Sequence, residues 1–434
     1  MPSTIRIACR TLAKNPAFTL VAIGALALGI GANSAIFSVV NAALFRPAGI
    51  SEPESIVAVR VAYKKLNLDS IGMSAPNFAD FRNMREIFEH AAIMTEVDLN
   101  YLAGGIPVRL SGAQVSLEWF AVFGAKPRLG RVFVPEEDQP GANQAAVLAF
   151  ATWQRLFGGD PHILGKSIEL NQKTYRVAGV MQPDFRWPAQ ADIWIPLGLA
   201  PDEMAEGNRF NESYFAAARL RPGLTIERAN AAAQVLSDRV RNNGTRGGSY
   251  AKDSLWGMFC VPITDFIAGD SKTPMLILLG AVGMVLLIVC ANIAGLMLVR
   301  ASVHAREFAV RMALGAGRWD LVRVTFAESI VLTVLGVVFG LILAFGGIRA
   351  LILFAPERLA QSLTVRIDTN VLLFTVLAGI ISLILFSAAP AWQIWRLGSP
   401  ELLREGGRAG TDSAARQRLR TTLVVGQVSI ALML

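Results

Sequence analysis

The chain has 434 residues, 53% of them apolar and only 17% charged, with a formal charge of +8. Ordinary soluble domains carry about a quarter charged residues, so this composition excludes a purely water-soluble protein. Of 41 Lys and Arg and 33 Asp and Glu, residues 46–272 hold 24 and 25, which leaves 17 against 8 around the apolar runs. That is how basic loops set the topology of a membrane protein, and no basic patch with interleaved aromatics points to nucleic acid.

In chain order, residues 1–16 contain Arg6, Arg10 and Lys14 without an acidic residue and are expected on the cytoplasmic side. A bilayer core about 30 Å thick needs roughly 20 apolar helical residues, and the run 17–45 supplies them before the break at Arg46-Pro47. A secretory signal has an apolar core of about 7–15 residues. This run continues through Ile36, Val39 and Leu44, so it reads as a retained span.

Residues 46–272 have ordinary globular composition and read as an extracytoplasmic α+β domain of two lobes, one inserted in the other. Strand-like runs are Ser55–Tyr63, Ala145–Ala149, Ser167–Leu170, Tyr175–Val180 and Ile193–Ile195. Helical spacing covers Ala75–Glu89, with Phe78, Phe81, Met84 and Phe88 on one face, and Leu224–Val240. The tripeptide Gly165-Lys166-Ser167 imitates a phosphate-binding loop, but Gly159 is one residue too early for G-x-x-x-x-G-K-S. Ser167–Leu170 is strand-like where such a loop would open a helix, so the segment reads as a turn. Only Cys260 of Cys9, Cys260 and Cys290 lies in this domain, and His90, His162 and His304 are far apart in sequence. No nucleophile elbow occurs, so neither catalysis nor a cofactor is expected.

Three further spans are expected at 274–299, 321–345 and 371–394. The Arg-rich loops 300–320 and 395–422 are then cytoplasmic. Glu328 is the one acidic residue inside these runs and is expected to face protein, to face water or to mark the true start of its span, a structural role being favoured over a proton relay. The small residues Gly24, Gly29 and Gly31, or Gly336 and Gly340, permit close helix contact. The run 423–434 is too short to cross a bilayer and reads as the start of a truncated fifth transmembrane helix.

The strongest local signal lies in the loop after the second span. Glu307 and Arg311 form an i,i+4 pair, Phe308 and Met312 share a neighbouring face, and Gly315 supplies a helix stop. Such an amphipathic helix can dock into a soluble motor or lie on the membrane surface.

These segments resemble the MacB/FtsX-type ABC transporter permeases. The likeness rests on Asn15–Leu20 and Gly29–Ser38 in the first span, on Arg306–Arg318 followed by Glu328-Ser329, and on Leu403–Arg408. The last of these looks like the lead into a second repeat in the duplicated branch, of which this chain would be the N-terminal half. The resemblance implies an α-helical protein of the bacterial inner membrane with four transmembrane helices, one before and three after a periplasmic core domain. It implies that 304–318 is a coupling helix, with Arg306, Glu307, Phe308, Arg311, Met312, Ala313, Leu314, Gly315, Ala316 and Arg318 gripping a separate cytoplasmic ABC ATPase. Nucleotide hydrolysis would belong to that partner. Other implied partners are a second permease copy or second repeat, a periplasmic protein and membrane lipids. Mechanotransmission would then drive export or release of a hydrophobic or peptide-like cargo, the alternative being an FtsX-like signalling scaffold that regulates a cell-wall enzyme.

Overall fold

A computed structural model describes residues 2–42, 49–103, 106–188, 191–303, 318–354 and 368–396, with 421, 425–429 and 431–432. The chain forms two compact units, a helical one from 1–41, 270–356 and 365–434, and a sheet-bearing one chiefly from 42–269.

Helix α1 spans Pro2–Ala13 and α2 spans Pro16–Val40. Pro16 opens α2 because its missing N–H costs nothing in the first turn. The Thr19 hydroxyl closes the junction by donating to the Leu12 carbonyl at 2.8 Å.

The sheet-bearing unit then runs β1 (Ile56–Tyr63), β2 (Leu68–Ile71), α3 (Ala75–Arg82), β3 (Phe88–Ala103), β4 (Ile106–Val115), α4 (Trp119–Val122) and β5 (Pro127–Gly130). It continues with β6 (Ala145–Leu148), α5 (Phe150–Phe157), β7 (Ser167–Leu170), β8 (Lys173–Met181) and β9 (Ile193–Pro196). It closes with β10 (Phe215–Leu220), α6 (Ile226–Arg241), α7 (Arg246–Asp253), β11 (Trp256–Pro262) and α8 (Ile263–Ala268). Among the described residues all the strands join one sheet, ordered β11-β1-β10-β3-β4-β9-β6-β8-β5, with β2 on β1 and β7 between β3 and β8.

Strand β10 returns antiparallel between β1 and β3, so residues 106–196 are spliced into the connection that completes the first half of the sheet. The long β3–β4 hairpin, in register from Met94 opposite Val115 to Ala103 opposite Ile106, joins the halves. One face of the first half is covered by α6, whose Ala229, Ala233, Leu236 and Val240 recur at helical spacing and meet Phe78, Phe81, Phe88 and Trp256. The other face packs Trp119, Phe120, Phe123, Phe185 and Trp194. A third core under the far half is built on Trp153, Ile168, Val177 and Ile195. Cys260 is buried in β11, and burial pushes its thiol up to about 12, so it stays protonated.

Two local readings change. The helix expected over 75–89 ends at Arg82, and Phe88 opens β3 instead. Phe88 keeps its place in the core because it packs against Phe81 at 4.5 Å between ring centres. The Gly165-Lys166-Ser167 segment is a turn into β7, with Gly165 at φ +78° and the Lys166 ammonium paired to Asp160 at 2.6 Å.

Glu118 pins β3 to the segment before α4. It accepts both guanidinium nitrogens of Arg85, at 3.0 and 2.7 Å, and the Ala91 N–H at 2.9 Å. Burial alone raises its pKa, but the Arg85 and Ala91 bonds outweigh that and hold it below the ordinary 4.5. A carboxyl lowered on folding stabilises the fold fully above its unfolded pKa and loses that contribution as pH falls through the folded value. Glu118→Gln is therefore expected to cost about 1–3 kcal/mol at pH 7, and to flatten the fall in thermal unfolding temperature between pH 7 and pH 3, as read by differential scanning fluorimetry.

Candidate functional site

The chain leaves the sheet-bearing unit through α9 (Lys272–Val303), followed by α10 (Arg318–Phe354) and α11 (Thr369–Arg396). With α2, these make four helices long and apolar enough to cross a membrane. The expected coupling residues Arg306, Glu307, Phe308, Arg311, Met312, Ala313, Leu314, Gly315 and Ala316 lie outside the described residues. Arg318 is the first residue of α10. What the structure defines is the bundle from which that loop hangs.

Three positions of α2 within residues 31–34 tie it to all three other spans. A Cβ on Gly31 would stand 2.8 Å from the Gly340 carbonyl oxygen, so α2 and α10 approach backbone to backbone there. The Asn33 amide donates to Gly29 O in its own helix and, at 2.8 Å, to the Val282 carbonyl of α9. Ser34 shares a 2.8 Å hydrogen bond with Thr375 of α11, one hydroxyl donating to the other while the accepting hydroxyl gives its proton to the carbonyl one turn back, Ile30 O or Val371 O. Asn33 and Ser34 are 3% and 0% exposed. With no water in hydrocarbon to satisfy them, these groups stabilise the bundle only while their interhelical partners stay in place.

The two ends of the bundle are also tied. Near one end the Arg300 guanidinium of α9 lies 3.8 Å from the Glu328 carboxylate of α10, 4.9 Å from the centre of the Phe18 ring of α2, and 3.3 Å from the Thr11 carbonyl of α1. Glu328 is 8% exposed and faces protein. At the other end Asp368 caps α11 through Val371 N at 2.9 Å and accepts the Asn41 amide, also at 2.9 Å.

Sequence reasoning found the small residues and Glu328 but missed the polar partners. Asn33, Ser34 and Thr375 are short side chains in apolar runs, and a single sequence gives no sign of which carbonyl they will meet. Gly24, grouped with Gly29 and Gly31 by spacing, meets nothing within 4 Å. Among the described residues no cluster of His, Cys, Asp or Glu could hold a metal ion. What the arrangement offers is mechanical linkage between the spans. Gly31→Ala or Gly340→Ala is expected to force the α2–α10 pair apart at about 1–3 kcal/mol, read as a lower unfolding temperature in detergent, with Gly24→Ala unchanged.

A family model of the MacB-like periplasmic core domain matches residues 19–236, and one of the FtsX-like permease C-terminal region matches 279–398. The macrolide export ATP-binding/permease protein MacB of Burkholderia thailandensis is 27% identical over 253 residues, 58% of this chain and 35% of that protein. The MacB of Campylobacter jejuni is 23% identical over 329 residues, 74% and 48% of the two chains. The pyoverdine export ATP-binding/permease protein PvdT of Pseudomonas syringae is 24% identical over 272 residues, 61% and 38%. The chain thus spans about a third to a half of the length of the curated relatives it matches.

Proposed function

Because this chain belongs to the MacB-like, FtsX-like family of ABC transporter permeases, we propose that it carries ATPase-driven motion across the inner membrane to its periplasmic domain. The N-terminus lies in the cytoplasm, as does the loop 304–318. Arg306, Glu307, Phe308, Arg311, Met312, Ala313, Leu314, Gly315, Ala316 and Arg318 form the surface that seats on a separate ABC ATPase. Closure of that motor tilts the spans together, and the domain between α2 and α9 changes shape to export or release a hydrophobic or peptide-like cargo. A second permease copy or second repeat completes the assembly, with a periplasmic protein and membrane lipids as further partners.

The observation that supports this reading most is the set of ties on α2. A lever must be stiff to transmit a displacement, and within residues 31–34 this helix is locked to α9, α10 and α11. The ends of α2 and α9 are also where the chain enters and leaves the sheet-bearing unit. Rigid-body movement of packed helices is an established class of switching transition. The mid-span side chains of Asn33, Ser34 and Thr375 are engaged in interhelical bonds, an arrangement suited to moving the bundle as one piece. The export activities in the names of the relatives favour transport.

Glu307→Lys and Arg311→Glu are expected to abolish co-purification with the ATPase and, with it, cargo export. Retention of the ATPase after deletion of 304–318 would overturn the docking assignment. Asn33→Leu removes the α9 tie, at about 0.6–2 kcal/mol, and is expected to leave the ATPase bound while export falls several-fold. Deletion of the gene should produce cargo accumulation or drug sensitivity; a cell-wall defect without either would replace export by an FtsX-like signalling role.

A further inference from the structure

Helix α1 has three distinct faces. Ala8 and Leu12, one turn apart, are 0% and 3% exposed and seat it on the helical unit. Arg6 and Arg10, also one turn apart, fall on the opposite side, and Lys14 follows the helix. Ile5 and Ile7 occupy the flanks between and are 49% and 46% exposed. No acidic residue precedes Glu52. None of Arg6, Arg10 and Lys14 forms an ion pair among the described residues.

A second, independent observation ties this helix to the start of the first span. Its last turn is held by three donors: Arg300 and Asn15 side chains on Thr11 O, at 3.3 Å each, and Thr19 Oγ1 on Leu12 O. Pro16 starts the apolar span immediately afterwards, and Leu20 and Val21, one turn in, are 70% and 60% exposed to the surrounding medium. With α2 read as a membrane span that opens at Pro16, the exposed isoleucines of the preceding helix are placed to meet the acyl boundary and the guanidinium groups to meet the headgroups. An apolar-flanked, purely basic helix in that position matches an anionic bilayer surface in both charge and polarity.

We propose that α1 is an interfacial helix that binds anionic phospholipid headgroups through Arg6, Arg10 and Lys14 while Ile5 and Ile7 enter the acyl boundary. The Arg300 bond to Thr11 O makes α1 a strut on the end of α9, so lipid charge sets how firmly that end is braced. This inference does not depend on the ATPase reading, because it concerns only the contact between α1 and lipid.

Cys9 lies on the Ile5 flank and is exposed, whereas Cys260 and Cys290 are buried. The full chain can therefore be labelled at Cys9 with a nitrobenzoxadiazole probe and placed in nanodiscs of phosphatidylcholine alone or mixed with phosphatidylglycerol. The expected result is a blue shift and intensity gain in the phosphatidylglycerol discs that weaken with added salt. Each basic residue removed should lower the bound-to-lifted ratio roughly fivefold, so Arg6→Gln, Arg10→Gln and Lys14→Gln together should erase the difference between lipids. All three are surface changes that leave the Ala8 and Leu12 contacts intact, and a circular dichroism spectrum matching the parent verifies the fold. Identical emission in both lipids would overturn the proposal. So would a probe that ignores lipid charge but shifts when a cytoplasmic protein is added, since that assigns the basic face to a soluble partner.

Discussion

The structure depends on the exclusion of water from the bilayer interior. A helix there satisfies its own backbone, but any side-chain amide or hydroxyl must find a protein partner or bear the full cost of desolvation. In α2 that constraint becomes architecture. Gly31 lets the backbone of α10 come close, and beyond the carbonyls one turn back in their own helix Asn33 meets the α9 carbonyl and Ser34 the α11 hydroxyl. Losing either interhelical partner leaves Asn33 or Ser34 with only a bond inside its own helix, so these contacts favour one arrangement of the four helices.

The same logic explains the charged groups near the bundle end. Arg300 and Glu328 are each too costly to leave alone at the edge of hydrocarbon, and 3.8 Å is close enough for mutual stabilisation without a tight hydrogen bond. Phe18 offers its ring face to the same guanidinium, and Thr11 offers a helix C-terminal carbonyl, where the backbone dipole favours a cation. Four helices thus meet around a single arginine. The stalks flanking the proposed coupling loop are braced before any motor is attached.

Much of the fold was legible because composition and period carry it. Four apolar runs, the ordinary composition of 46–272, and β-branched runs such as Ile56–Tyr63 each announce an environment. Elements whose identity is conferred by neighbours were not legible. Strand β10, Phe215–Leu220, contains three alanines and becomes a strand because β1 and β3 leave a slot for it. The helical spacing of Phe78, Phe81, Met84 and Phe88 was a true core signal read one element too far, since a chain that turns at Asn83 can return Phe88 to the same core from a strand. For the site, the glycine spacing was visible, but the carbonyl that Asn33 meets 249 residues away was not.

The placement of β10 also bears on how the periplasmic domain matures. Strands β1 and β3 bind opposite edges of a strand that emerges from the ribosome only after the whole 106–196 segment. Closing so long a connection costs only a little more entropy than closing one half its length, about 0.6 kcal/mol per doubling. The delay, however, makes the topology high in contact order and slow to complete. Until Phe215–Leu220 arrives, two hydrophobic strand edges stay unpaired and available to the wrong partner. The half of the domain that is synthesised first is thus the half that finishes last, and during translocation it is the one most in need of protection from aggregation.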